Sequence, residues 1–255
     1  MNLLEGKKGI VFGVANQRSI AWAVADAAVD AGATVMVGAQ NERMMESAQK
    51  LIDGKSGFSL VQCDLNDDSQ IDSVRAEIEK SHGKIDFAVH SVAYALREDL
   101  AGRFVDTSRE GFKIALETSA FTFVAMAKGL ESVLADDASL ITMTYLGSLR
   151  VLPGYNVMGV AKAALEACTR YMAYDLGGRG IRVNAVSPGP INTVAARGVK
   201  GFTQILDVVS ERAPLKRPAE QSEVATTSLW LLSDLSKGVS GQTIYVDSGY
   251  SVMGL

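Results

Sequence analysis

Two cysteines, two histidines and two tryptophans are all that this chain of 255 residues holds of those types. Cys63 and Cys168 stand far apart and form no Cys-x-x-Cys pair, and with so few histidines a zinc cluster is not expected. Reduced thiols and a cytoplasmic setting are expected instead of a disulfide framework. Neither sign of charge dominates, since 25 basic residues face 29 acidic ones for a net charge of −4. That balance leaves no general footprint for nucleic acid, and any basic patch would have to be local. Long apolar runs are missing too. The opening MNLLEGKKGIVFGV sets a basic pair before an apolar run, faintly like a signal peptide. The run is short and broken by Gly9 and Gly13, so it is expected as a buried first strand. Nothing reaches the ~18 uncharged apolar residues that span a bilayer, and no membrane insertion is expected. Internal repeats, low-complexity tracts and long linkers are absent as well.

What the chain does have is alternation. Short apolar runs at 8–13, 34–38, 57–62, 86–90, 139–143, 182–187 and 243–247 read as strands. Helix-like segments lie near 19–31, 42–52, 68–81, 108–134, 156–176 and 221–233. Nearly continuous apolar strands separated by helices predict an α/β fold, a single-domain, doubly wound parallel sheet of the Rossmann-like kind with helices on both faces. The length suits one domain over 1–255, able to bury about three quarters of the surface of the unfolded chain. In such sheets ligands sit at the carboxyl ends of strands, beside the point where strand order reverses.

The strand ends therefore carry the candidates. The first joint reads Gly13-Val14-Ala15-Asn16-Gln17-Arg18-Ser19-Ile20. Gly13 supplies a tight turn, and Ser19 either caps the helix or donates to a phosphate facing the helix N-terminus. Ala15 stands where a second glycine of the usual dinucleotide fingerprint would be, so an ordinary loop and cap fit the spacing equally. The second strand ends near Gln40, followed by Arg43 a turn into the next helix. An uncharged ribose suits Gln40, which favours NADH and leaves NADPH as a second donor. Asp64 could accept from an adenine amino group with Leu65 on the ring, or cap the following helix. Ser91, Val92 and Ala93 are small enough to leave room for a ribose or nicotinamide. His90 beside them reads as a satisfied core residue, and Phe112, Phe121, Phe123 and Met126 read as packing.

The stretch from Tyr145 to Lys162 is the most specific. It leaves the strand at 139–143, crosses a loop with Pro153 and Gly154, and enters an Ala- and Leu-rich helix running toward Asp175. Tyr155 and Lys162 are seven residues apart, close to two helical turns, which places both on one helix face. A phenol and an ammonium so placed can polarise a carbonyl beside a cofactor; a helix that merely carries one Tyr and one Lys fits too. Further on, Pro188-Gly189-Pro190 turns the chain toward Ile191 and Thr193, which could hold a carboxamide. Residues 194–210 read as an amphipathic helix with Phe202 apolar and Arg197 and Lys200 basic. Ser222 is expected near the cap of the last long helix, with Trp230, Leu231 and Leu232 in the core. The tail YSVMGL is expected at a subunit interface.

Taken together these stretches resemble the NADH-dependent enoyl-(acyl-carrier-protein) reductases of the short-chain dehydrogenase/reductase superfamily, over essentially the whole chain. GVANQRSIAW is similar to that family's variant of the glycine loop, and SVAYA with Leu100 and Gly102 to its fourth-strand segment. Tyr145, Tyr155 and Lys162 inside YNVMGVAKAALEA match its catalytic arrangement; NAVSPGPINT, AARGVKGF and TIYVDSGY are similar as well. Most short-chain reductases place the tyrosine four residues before the lysine, where this chain has Met158. A 3-ketoacyl or other carbonyl reductase, the nearest alternative, would want Tyr at 158 and Ser at the end of strand five. A non-catalytic dinucleotide sensor would lack the Tyr/Lys pair. The resemblance implies hydride transfer from NADH to the β-carbon of a trans-2-enoyl thioester in fatty acid biosynthesis, with Tyr145, Tyr155 and Lys162 catalytic. It implies a cofactor cradle of Gly13, Ser19, Ile20 and Gln40, continued by Asp64, Leu65, Ser91, Val92 and Ala93 and closed by Lys162, Ile191 and Thr193. Ala95, Tyr145, Tyr155 and Phe202 are implied to meet the substrate. A segment near 194–210 is implied to cover that substrate, Arg197 and Lys200 are expected to contact an acidic carrier protein, and a homotetramer is implied.

Overall fold

The computed structural model describes residues 2–193 and 202–254. Seven parallel strands form one sheet in the order β3-β2-β1-β4-β5-β6-β7. They are β1 (Lys8–Phe12), β2 (Thr34–Ala39), β3 (Phe58–Gln62), β4 (Ile85–His90), β5 (Leu134–Met143), β6 (Arg182–Pro188) and β7 (Thr243–Val246). The central strands are buried along almost their whole length, whereas the edge strands β3 and β7 are only half-buried. This is the burial expected of a sheet covered on both faces. One layer is built from α1 (Ile20–Asp30), α2 (Glu42–Ile52) and α9 (Gln221–Leu232), whose Trp22, Ala48 and Leu231 pack with Val11, Val35 and Ile141 of the sheet. The other holds α3 (Asp68–Ser81), α6 (Thr122–Leu130) and α7 (Val157–Leu176), whose Ile71, Phe123 and Leu165 pack with Ile10, Ala88 and Leu140. The doubly wound fold read from the sequence is the fold found.

Strand order reverses between β1 and β4, so the loops leaving these neighbours diverge to opposite faces and open a cleft at their carboxyl ends. Gly13 marks the spot. Its φ is +102°, and a Cβ there would lie 2.1 Å from the carbonyl oxygen of Ser91. No other residue type permits that approach.

Several boundaries differ from the sequence reading. The single helix expected over 108–134 is instead α5 (Arg109–Leu116), a π-helical segment Glu117–Phe121, α6 and a short 3-10 turn, after which β5 already begins at Leu134. The β4–β5 register shifts between Ile85 and Phe87, and Asp137 in the early part of β5 has φ 64°. This irregular start, with exposed Asp136 and Asp137, hid the strand from an apolar-run criterion. A short α4 (Arg97–Leu100) was not anticipated. The last long helix is capped not by Ser222 but by Glu220, which shares a reciprocal capping box with Glu223. Phe123 and Met126 are buried as expected, while Phe112 and Phe121 are exposed on this chain.

Candidate active site

The first joint is organised by a hydroxyl. Ser19 holds the N-cap position of α1, yet its side chain makes no capping bond to the helix. Its Oγ instead accepts the N–H groups of Ala15 and Asn16, each at 3.0 Å, and so curls the loop after Gly13 around itself. Ile20 follows as the first helical residue, half-buried against the core.

At the end of β2, Gln40 Nε2 donates to Asp64 Oδ2 at 2.9 Å, joining the ends of β2 and β3. Asp64 Oδ1 accepts the backbone and side-chain N–H groups of Asn66. Partial burial opposes its charge, but these hydrogen bonds from Asn66 and Gln40 win and hold its carboxyl below the usual range. Asp64 is therefore not the helix cap: Asp67 caps α3 through the N–H of Ser69. Leu65 is buried beside it, and Arg43 is exposed.

Beyond β4, Ser91 and Val92 are half-buried and Ala93 is exposed. The loop is held by Ser119 of the π-helical segment, whose Oγ accepts from Tyr94 N and donates to Tyr94 O, both at 3.0 Å. Ala95 then packs into a small cluster with Val157, Met158 and Ala161, and Tyr155 lies against that cluster. His90 is fully buried between the hydroxyls of Thr142 and Thr122, each at 2.9 Å. Burial and the nearby Lys162 push its pKa down to about 3, so it is a neutral core residue, as its setting in the sequence suggests.

The Tyr/Lys stretch closes the site, with one correction to its local structure. Helix α7 begins only at Val157, so Tyr155 precedes it rather than riding on it. Between them Asn156 has φ 41° and ψ −119°, a conformation costly for a residue with a side chain. Its Nδ2 is directed to the carbonyls of Leu100 and Gly102, at 3.2 and 3.3 Å, which brace it. The Tyr155 ring lies on the turn Leu146–Ser148 at Gly147, where a Cβ would come within 2.4 Å of Cδ1. The rings of Tyr145 and Tyr155 meet edge to face, 5.0 Å apart at 72°. Burial pushes the Tyr145 hydroxyl up to about 12 and the Tyr155 hydroxyl well above the ordinary tyrosine range. Lys162, only 5% exposed, donates from Nζ to the carbonyl of Met143 at 2.7 Å. Burial brings its pKa down to about 8, against the pull of Glu166.

Ile191 is half-buried and its carbonyl accepts the N–H of Thr193 at 2.7 Å. Arg197 and Lys200 lie outside the described residues, as does the rest of 194–201. Phe202 begins α8 (Phe202–Arg212), but its side chain is outside them too. Three residues were missed by sequence reading: Ser119, Asn156 and Glu166. Glu166 alone had a signal, since it follows Lys162 by one helical turn and shares its face.

A family model described as enoyl-(acyl carrier protein) reductase matches residues 13–251. The chain is 46% identical over 253 residues to an enoyl-(acyl-carrier-protein) reductase of Rhizobium meliloti named for NADH, covering 99% of this chain and 93% of that one. To a Staphylococcus aureus reductase named for NADPH it is 44% identical over 249 residues, 97% of each chain. A crystal structure of the Bacillus cereus reductase with NADP+ and indole naphthyridinone matches it with a TM-score of 0.97 at 46% identity, covering 100% of both.

Proposed function

The chain belongs to the enoyl-(acyl carrier protein) reductase family, and from that premise we propose how its own residues carry the reduction. It is an NAD(P)H-dependent oxidoreductase that saturates the carbon–carbon double bond of an enoyl group on acyl carrier protein, in fatty acid synthesis. The overall change takes a trans-2-enoyl thioester, NADH and one proton to the saturated thioester and NAD+.

The cradle suits a dinucleotide. Because Gly13 lacks a side chain, the first loop lies low against Ser91, and the Ser19 hydroxyl accepts two loop N–H groups while keeping its own hydrogen to donate to a phosphate oxygen. Gln40 and Asp64, already hydrogen-bonded to each other, would form the adenosine end, with Leu65 beneath the ring. An amide rather than a carboxylate at position 40 tolerates either ribose, with NADH favoured. Ser91, Val92 and Ala93 would border the nicotinamide ribose, and Ile191 and Thr193 the carboxamide. Lys162 would hold the ribose hydroxyls.

When bound, the reduced nicotinamide supplies the hydride that adds to the β-carbon. Negative charge then develops on the thioester oxygen, and Tyr155 donates its O–H to that oxygen. A hydroxyl whose pKa burial has raised is a donor that does not ionise at neutral pH, and the water-poor surroundings strengthen the bond. The α-carbon takes up the proton that completes the reduction. Tyr145, set edge to face with Tyr155, orients that ring and borders the thioester. Ala95 and Phe202 would flank the acyl chain, and the segment near 194–210 would cover it, within one catalytic domain over 1–255.

One observation carries this reading: the Tyr145–Tyr155 ring pair stands over the strand end whose Met143 carbonyl anchors buried Lys162. The test is NADH absorbance at neutral pH with crotonyl thioester, with acetoacetyl thioester and with neither. Oxidation is expected only with the crotonyl thioester. Oxidation driven only by the 3-keto thioester would make this a carbonyl reductase, and none with either would make it a sensor.

We also propose a homotetramer and a cytoplasmic setting, the latter supported by the free thiols Cys63 and Cys168. Tyr171 and Tyr174 on α7 are 75% and 86% exposed, and Val252 in the tail is 79% exposed, an apolar surface that other copies would cover. Light scattering is expected to give four chains, and Tyr171→Asp with Tyr174→Asp to lower that mass. A wild-type mass of one chain would remove the proposal.

A further inference from the structure

Glu166 is a buried carboxylate on α7 that the reduction as described does not use; it is 6% exposed. One of its oxygens, Oε1, accepts two hydroxyls: that of Thr144 at 2.7 Å and that of Ser148 at 2.6 Å. These two residues bracket Tyr145. Thr144 continues from β5, tied by its N–H to Val186 of β6, and Ser148 closes the 3-10 turn with its N–H on the Tyr145 carbonyl. One turn earlier on the same helix, Lys162 reaches back to the Met143 carbonyl at 2.7 Å. Residues 143, 144 and 148 are thus pinned to α7 by two side chains one helical turn apart. The residue between the pins is Tyr145, and the turn they fix is the surface on which the Tyr155 ring rests at Gly147.

We propose that Glu166 is a positioning residue for the reduction, taking the Thr144 and Ser148 hydroxyls on one oxygen and so holding Tyr145, the Tyr155 platform and Lys162 in one frame. The inference rests on the reading of Tyr155 and Lys162 as the reaction centre. A carboxylate suits the task better than a neutral amide for a second reason. Burial disfavours the Lys162 ammonium, and the negative charge of Glu166 opposes that effect. The other titratable groups packed around this frame cannot replace it. His90 of β4 is held neutral, and Tyr155 and Tyr145 keep their protons. From the β7 side, Tyr245 likewise has its pKa raised, while Asp247 commits its carboxylate to the N–H groups of Gly249 and Ser251.

Three variants separate the two contributions: Glu166→Gln, Glu166→Ala, and Thr144→Val with Ser148→Ala. Each is measured for thermal unfolding, for NADH affinity by fluorescence across pH, and for kcat and KM with crotonyl thioester. Glu166→Gln keeps an acceptor and loses the charge, so the pH above which NADH affinity declines is expected to move down by about one unit. Its kcat is expected to recover at low pH. Glu166→Ala is expected to lose about 10- to 100-fold in kcat as the reacting groups drift. The double hydroxyl variant is expected to lose kcat with the pH limit unmoved. A purely structural role would lower the unfolding temperature and leave the pH limit of Glu166→Gln at the wild-type value, which would overturn the inference. Folded Glu166→Ala with wild-type kcat would overturn it too. Tyr155→Phe and Lys162→Met run in parallel. If those two keep full activity, the reaction-centre reading fails; if they lose it while the Glu166 variants do not, only the positioning role fails.

Discussion

Tyr155→Phe will lower kcat for the enoyl thioester by about 10²- to 10³-fold, the usual cost of one lost oxyanion donor, while NADH affinity stays within about twofold of wild type. The substitution removes one oxygen and little else. The Phe ring can still rest on Gly147 and meet Tyr145 edge to face, so packing is retained and the fold is not at issue. In the proposed role, what disappears is a donor aimed at charge that exists only as the hydride arrives, which is why the loss should fall on kcat and not on KM. If Tyr155 served only as a packing residue, Phe would be close to silent. Tyr145→Phe is the contrast, because its pKa is also raised but its assigned part is to orient Tyr155. A smaller loss is expected there. Stopped-flow single turnovers on both variants separate the chemical step from product release, and equal, negligible losses would remove the donor role.

The strands were legible in the sequence because parallel strands covered on both faces must be apolar throughout. Runs such as GIVF and SLITM have few other uses in a chain this size. The strand ends could then be read as the candidate site, since ligands of a doubly wound sheet sit in the crevice at the carboxyl ends of its strands. What failed to show was local backbone departure from ideal geometry. The π-helical segment Glu117–Phe121 does not interrupt the apolar pattern of the surrounding helix, so 108–134 looked continuous. Yet that segment supplies Ser119, which fixes the Tyr94 backbone. Likewise, seven residues from Tyr155 to Lys162 imitate two turns of helix, although Asn156 breaks the helix between them. The pairing was thus read from a geometry the backbone does not have. Glu166 was passed over because a glutamate in a helix is ordinarily a solvated residue. Only the tertiary structure puts two hydroxyls against it.

Lys162 is expected to make cofactor binding and protein stability respond to pH in opposite senses. Its pKa is lowered by burial to about 8 from the ordinary 10.5, with Glu166 pulling the other way. Below about pH 8 the ammonium is present in both folded and unfolded chains, and the folded state bears the full cost of burying it. That cost is about 3 kcal/mol, an upper figure for a fully desolvated group. Between pH 8 and 10.5 the unfolded chain still holds the proton and the native one has released it. The Lys162 contribution therefore becomes less destabilising as pH rises through this window, and above it the term is gone. The raised thiol of Cys63 acts in the opposite sense, so the Lys162 term is read as the difference between wild type and Lys162→Met. Binding runs the other way: a ribose held by the ammonium is released as the charge is lost, so NADH affinity should fall by up to about tenfold per pH unit above 8. Lys162→Met should abolish both trends. It removes the charged donor, weakening NADH binding by about 10- to 100-fold at neutral pH. It also relieves the buried cation, so the variant should unfold no more easily than wild type at pH 7, the unpaired Met143 carbonyl offsetting part of the gain. Urea unfolding and NADH fluorescence titrations from pH 6.5 to about 10 measure the two trends on one sample. Wild-type NADH affinity in Lys162→Met would contradict the anchoring role, and a wild-type stability that does not rise relative to that of Lys162→Met between pH 8 and 10 would contradict the burial that sets the pKa.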